Sequence, residues 1–317
     1  MHIQQMNVNQ DHSVPIIDLP WLFRLVRLDQ AKLPNGGYRF QANLFHEKAS
    51  IAVTWINSKA DDRLTAGSLV TPRWTSKTVC TQGQIIINRL LPVNTPGNVN
   101  IFDTVPYEWV KNREIIRQAQ EMIDSLPPCF IKLINGIFWD YRRFYRFLVG
   151  PSSLNGHHKD KHGNLRHSIE VVNNALMLAK ERKTICPHVL ATAAFLHDAG
   201  KADEYQFNYE RNCFEISTRG VLLGHKLSIV EWIAAAVAQY QINIPENQLL
   251  SLLHALTATK GVPDWVGIRE PVSPEANLLS IADRLSGQDD LYAQTMPSTE
   301  GFGRYHRHLR GRPFLVA

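Results

Sequence analysis

Hydrophobic and polar positions repeat with two different periods along this chain. Between residues 38 and 91 the period is close to two. Tyr38, Phe40, Ala42 and Leu44 alternate with Arg39, Gln41 and Asn43, as a half-buried strand requires. IAVTWI, SLVTPRW and GQIIINRLL repeat the theme with β-branched and aromatic residues between polar turns. Four or five short strands within about 60 residues predict a barrel, and an OB-like β-barrel is the architecture that fits. PVNTPGNVN then breaks the pattern with proline, glycine and asparagine.

Beyond that break the period becomes helical. WVKNREIIRQAQEMIDSL places Trp109, Val110, Ile115, Ile116, Ala119, Met122, Ile123 and Leu126 on one stripe and stops at Pro127-Pro128. FIKLINGIFWDYRRFYRFLVG predicts a second helix, aromatic and basic at once. From His157 to about Ser286 the chain reads as a run of helices: LRHSIEVVNNALMLAKER, PHVLATAAFLHDAGK, LLGHKLSIVEWIAAAVAQY, NQLLSLLHALTATK and PEANLLSIADRLSG. The predicted fold class is α+β, a barrel followed by an all-α bundle. The predicted division is 1–105 for the barrel, 106–150 for a helical connector, 151–290 for the bundle and 291–317 for a basic, irregular tail.

Composition narrows the class. Of 317 residues 44% are hydrophobic, enough for a real core. No apolar run reaches the roughly 18 residues of a membrane helix. The opening MHIQQMNVNQDHS lacks a basic stretch followed by an apolar one, so no export signal is expected. Cys80, Cys129, Cys186 and Cys213 lie far apart and form no CxxC pair. That suits a reducing, cytoplasmic compartment and argues against a cysteine zinc site. A net charge of +5 leans towards a polyanionic partner.

Candidate chemistry lies in the helical part. His167, the pair His197-Asp198, His225, His254 and Asp283 follow one another at intervals of about 27 to 30 residues, one position per helix or hairpin. Side chains so spaced can converge inside a bundle. Imidazoles with carboxylates suit a divalent ion such as Mn, Mg, Fe or Zn rather than a thiolate-preferring one. A metal held this way makes water acidic and neutralises phosphoryl charge. Any one of the 13 histidines, taken alone, is more simply a helix cap or a satisfied core group.

These residues match the H…HD…D pattern of the HD-domain metal-dependent phosphohydrolase superfamily. PSSLNGHHKDKHGNLRHSIEVV, FLHDAGKADEY, GVLLGHKLSIVEWI and DWVGIREPVSPEANLLSIADRLSG resemble the YhaM-type 3′→5′ exonucleases, which join an OB-fold to an HD domain. The same region is similar, more distantly, to the HD domain of conjugative relaxases. The resemblance implies that His167, His197, Asp198 and Asp283 bind metal. It implies that His225 serves a second metal or the substrate phosphate, and that Lys201 faces phosphate as a point charge. Asp198, Lys201 and His225 become the expected catalytic set. One departure stands out. Two-metal members carry a His-His pair where this chain has Thr259-Lys260, with His254 one to two turns earlier. One or two ions are therefore compatible with the pattern, and Lys260 can contact phosphate instead. His157 and His158, in the NGHHKDKHGN loop, are either polar loop residues or substrate contacts. Glu170 can orient the His167 ring or be solvated.

The expected reaction is 3′→5′ hydrolysis of single-stranded DNA or RNA. Alternatives are a small-nucleotide phosphohydrolase or phosphodiesterase, and a non-catalytic nucleic-acid-binding factor in DNA processing or conjugation. A barrel of this kind binds single strands by stacking bases on aromatics beside cations. Tyr38, Phe40, Phe45, Trp55 and Trp74 supply rings, and Arg39, Lys48, Lys59, Arg63, Arg73 and Lys77 supply charge. Trp55 and Trp74 are singled out for stacking, with some of the rings reserved for the core. Arg142, Arg143 and Arg146 can line a strand-entry path or pack between domains. No membrane partner is expected, and a homo-oligomer is compatible with the sequence.

Overall fold

Arg24 decides how the barrel meets the helices. It sits in the first strand, FRLVRLDQAK, and its side chain is 0% exposed. The guanidinium donates to the Gly67 carbonyl at 2.8 Å and to Thr104 Oγ1 at 2.7 Å, and lies over the rings of Trp109 and Phe144. A buried cation is tolerated only when its donors are used, and here carbonyl, hydroxyl and ring faces use them. Burial pushes its pKa down to about 9.

The computed structural model describes residues 19–75, 80–81 and 83–316. The opening segment MHIQQMNVNQDHS and Lys77 lie outside the described residues. Strands β1 (Phe23–Lys32), β2 (Tyr38–His46), β3 (Ala49–Asn57), β4 (Leu69–Trp74), the two-residue β5 (Cys80–Thr81) and β6 (Gln84–Pro92) form one sheet. β1 pairs with both β2 and β4, and its pairing with β2 shifts register at a bulge between Leu25 and Arg27. β6 pairs with β4, and a short parallel pairing of β3 with β6 closes the barrel. That strand order is OB-like, as expected. Phe23, Leu25, Phe40, Leu44, Val53, Trp55, Val70 and Ile87 fill the interior.

The helices follow: α1 (Arg113–Asp124), α2 (Pro128–Phe138), α3 (Tyr141–Val149), α4 (Gly163–Ala179), α5 (Pro187–Leu196), α6 (Lys201–Glu204), α7 (Thr218–Leu222), α8 (Gly224–Tyr240), α9 (Glu246–Thr257) and α10 (Pro274–Thr295). They share one apolar core built on Phe102, Phe130, Phe138, Phe144, Phe147 and Phe195. α4 packs against α5 and α10, which brings three of the expected site positions to one place. No helix among the described residues is long and apolar enough to cross a membrane.

Five features depart from the sequence reading. β1 was not among the strand candidates. FIKLINGIFWDYRRFYRFLVG forms two helices, because Asp140 accepts the amides of Arg142 and Arg143 and starts α3 afresh. A β-hairpin, β7 (Tyr205–Asn208) with β8 (Cys213–Ile216), interrupts the helical run. The tail is not irregular throughout, since β9 (Gly301–Phe302) pairs with β10 (Phe314–Leu315). α10 continues to Thr295, past the Ser286 end of its apolar pattern.

Candidate metal centre

His167 enters the site from the middle of α4, His197 and Asp198 from the end of α5, and Asp283 from α10. One ligand atom from each of His167, His197 and Asp283 lies within 4.8 Å of the other two. His167 Nε2 is 3.1 Å from Asp283 Oδ1 and 3.2 Å from His197 Nε2. Asp198 Oδ2 approaches the same two Nε2 atoms at 3.5 and 3.6 Å. His167, His197 and Asp198 are buried, and Asp283 is half-exposed.

The protons of this group decide which ligand it fits. His197 Nδ1 meets the Ala194 carbonyl at 2.8 Å, so Nδ1 carries the proton and Nε2 offers a lone pair. Ser286 donates its one hydroxyl proton to Glu170 at 2.8 Å. Its oxygen therefore accepts from His167 Nδ1, at 3.0 Å, and His167 Nε2 is also a lone pair. Two lone pairs and two carboxylates then face one space. They repel one another unless a cation sits among them, so the donor set fits a divalent metal ion.

The titration behaviour agrees. Burial alone would raise the Asp198 carboxyl, but Lys201, His197, His167 and His225 hold it well below the usual carboxylate range. Burial likewise opposes ionisation of Asp283, and the His167 and His197 contacts overcome it. Burial works against charge on His197, yet Asp198 and Asp283 raise its pKa, while at His167 burial prevails and lowers it.

Around this group the other expected residues take different places. Lys201 reaches Asp198 Oδ2 as an ion pair and Ser152 Oγ at 3.3 Å, so its charge is engaged by the centre itself. His225 Nδ1 is 2.6 Å from Glu204 Oε2, which orients its Nε2 towards Asp198 Oδ1 at 3.5 Å. His157 lies at the rim, its ring centroid 5.0 Å from that of His167, and burial pushes its pKa down to about 4. His158 is buried beneath it, against Ser286 and Glu170. That burial removes it from direct substrate contact.

Several expected residues are not brought to the centre. His254 Nε2 accepts the Val272 amide at 3.1 Å, which spends its lone pair. Lys260 is exposed on the loop after α9. Arg143 stacks on Trp232 and donates to the Ile137 carbonyl, a packing role. Trp55 does not present a stacking face to a strand. It is 4% exposed, parallel to Phe40 inside the barrel with centroids 4.9 Å apart. Trp74 is half-buried against the same core.

Four contributors escaped the sequence reading. Ser286 fixes the His167 tautomer, Ser152 touches Asp198 Oδ2 at 3.2 Å, and Glu204 orients His225. Lys226 donates to Thr259 Oγ1 at 2.8 Å and to the Ala258 carbonyl, at the position of the missing histidine pair. Ser286 stands three residues after Asp283, hence on the same helix face, and that spacing was the available signal.

Comparison with known proteins follows the same lines. Residues 164–288 match the family model of the HD domain. The chain is 25% identical to the 3′-5′ exoribonuclease YhaM of Bacillus subtilis (strain 168) over 214 residues, 65% of this chain and 63% of the relative. It is 24% identical to that of Bacillus licheniformis over 208 residues, 65% and 64% of the two chains. The chain thus spans somewhat less than two thirds of the length of these relatives. No solved structure matches it. Residues 164–288 thus match the HD domain, with an OB-like barrel in front of them, and part of the chain is similar to these exoribonucleases.

Proposed function

We propose that the protein is a metal-dependent 3′→5′ exonuclease acting on single-stranded nucleic acid. The carrying observation is the convergence of ligand atoms from His167, His197 and Asp283, with Asp198 beside them, in a chain whose relatives are named exoribonucleases. Those names favour RNA as the strand. His167, His197, Asp198 and Asp283 would hold the ion, with Mn, Mg, Fe or Zn as its identity. When bound, the ion supplies an acidified water and neutralises charge on the scissile phosphate. Asp198 stays ionised because Lys201 pairs with it. His157, neutral at pH 7, stands at the rim where a phosphate oxygen or leaving group would arrive.

Lys226 supports a single-ion reading. Its ammonium stands on Thr259, within the field of Asp283 and Asp198, and supplies positive charge where two-metal relatives would place histidines. The proposed division of labour gives residues 1–105 to the barrel, 106–150 to a connector, 151–290 to hydrolysis and 291–317 to the tail.

The test uses DNA and RNA oligomers labelled at the 5′ or 3′ end, with Mn²⁺. The 3′ label is expected to appear at once as a mononucleotide, while the 5′-labelled strand shortens in steps. His197→Ala and Asp198→Ala are each expected to lower cleavage by about three orders of magnitude, with circular dichroism unchanged. Full activity in both variants would sink the reading.

A further inference from the structure

A cleft of about 790 Å³ opens between the rim of the barrel and the helices, within the roughly 300–1,000 Å³ usual for ligand sites. Rings from two directions line it. Trp109 from the connector and Tyr145 from α3 meet edge to face, with centroids 5.2 Å apart. From the β7–β8 hairpin, Phe207 contacts both Tyr209 and Phe214 with centroids 5.2 and 5.1 Å apart. Tyr209 is 88% exposed and Phe207 and Tyr145 are also well exposed, a cost that a monomeric hairpin gains nothing from by itself.

The charge is one-sided. Arg142, Arg146, Lys161 and Lys201 line the cleft and, among the described residues, no carboxylate does. Arg146 is shared with Asp203 and Lys201 with Asp198, whereas Arg142 and Lys161 make no ion pair among the described residues, Arg142 donating instead to the Tyr141 hydroxyl at 3.2 Å. Lys201 lines the cleft and pairs with Asp198, so the floor of the cleft is the wall of the metal centre. Gly67 secures the barrel side. A Cβ there would stand 2.3 Å from the Tyr141 ring, and its φ of +96° favours glycine.

We propose that this cleft, rather than the face of the barrel, holds the single strand as its end enters the metal centre. Bases stack on the Phe207–Tyr209 pair and on Tyr145, and phosphates run along Arg142 and Lys161 towards Lys201. Every base offers a π-face and every link a phosphate, so such a site accepts any sequence. The proposal rests on the exonuclease reading for the identity of the strand, and adds where it lies.

The experiment measures binding without catalysis: fluorescence anisotropy of a labelled oligo(A) in EDTA, over a range of salt. Phe207→Ala with Tyr209→Ala is expected to weaken binding roughly 10- to 100-fold. Arg142→Gln with Lys161→Gln is expected to reduce the slope of log affinity against log salt by about 1.4. Trp265→Ala, an exposed ring outside the cleft, is expected to bind as the parent does. Wild-type affinity in both double variants, or an equal loss in Trp265→Ala, overturns the cleft and leaves the exonuclease reading standing. Failure of the parent to bind any strand overturns both.

Discussion

Ser286 has one proton, and its destination sets the chemistry of the residue beside it. Because that proton goes to Glu170, the hydroxyl oxygen faces His167 Nδ1 as an acceptor and leaves Nε2 bare. Partners of this kind orient ligating histidines and raise their basicity, and their loss costs roughly 10- to 100-fold in metal affinity. Ser286→Ala is therefore expected to weaken Mn²⁺ binding by that factor in calorimetric titration, with the melting temperature of the metal-free protein nearly unchanged. Undiminished affinity would show that His167 needs no such partner. The converging residues themselves were legible in the sequence because H, HD and D follow in that order on apolar helices. Ser286, Glu204 and Lys226 were not, since a lone polar residue on a helix looks the same whether it faces solvent or a ligand.

At the scale of elements, the capping of α3 shows how a local contact places a functional surface. Asp140 Oδ1 accepts from Arg142 N at 2.9 Å and from Arg143 N at 3.4 Å, breaking one long apolar stretch into two helices. The second of them carries Arg142, Tyr145 and Arg146 to the cleft. Asp140→Ala is expected to cost about 1 kcal/mol in denaturant unfolding, the usual worth of such a cap, whereas Asp140→Asn should retain most of it. The periodic pattern carried across Asp140 because the apolar stripe hardly changes phase there. β1 was hidden for a different reason: Val26 and Arg27 break the alternation at the bulge, and only the structure shows that Arg24 is buried. The β7–β8 hairpin has strands of four residues, too short for a period to register. Its turn depends on Asn212 at φ 50°, a left-handed position that sequence alone signals weakly. The longer barrel strands and the helices that carry the converging His and Asp residues were legible because each buries one face over several turns or pleats.

Over the whole molecule, the barrel is fastened to the helices by polar contacts as well as by packing. Arg113 pairs with Glu47, Trp139 donates to the Val93 carbonyl, and Asn135 donates to the carbonyls of Gly97 and Val99. Asp103 lies in this joint. Its carbonyl accepts the Glu47 amide and its carboxylate accepts from Gln120, while His46 Nε2 is 3.9 Å away. His46 gives little electrostatic relief, because burial pushes its pKa down to about 4 and keeps it neutral. Burial pushes the Asp103 carboxyl up to about 6, from an ordinary value of 3.8. The folded-state pKa is thus the higher one. The contribution of Asp103 to stability is complete below pH 3.8 and is lost as pH rises through about 6. Asparagine mimics the protonated acid and can still accept from Gln120. Asp103→Asn is therefore expected to match the parent near pH 4 and to exceed its stability by about 1–2 kcal/mol at pH 8, the value being reduced because the side chain is 30% exposed. The influence of His46 is common to both proteins and largely cancels in the difference. Urea unfolding at a series of pH values measures that difference directly. A gain that is the same at pH 4 and pH 8 would mean that the joint does not strain the ionised carboxylate, and that Asp103 is held there by its hydrogen bonds alone.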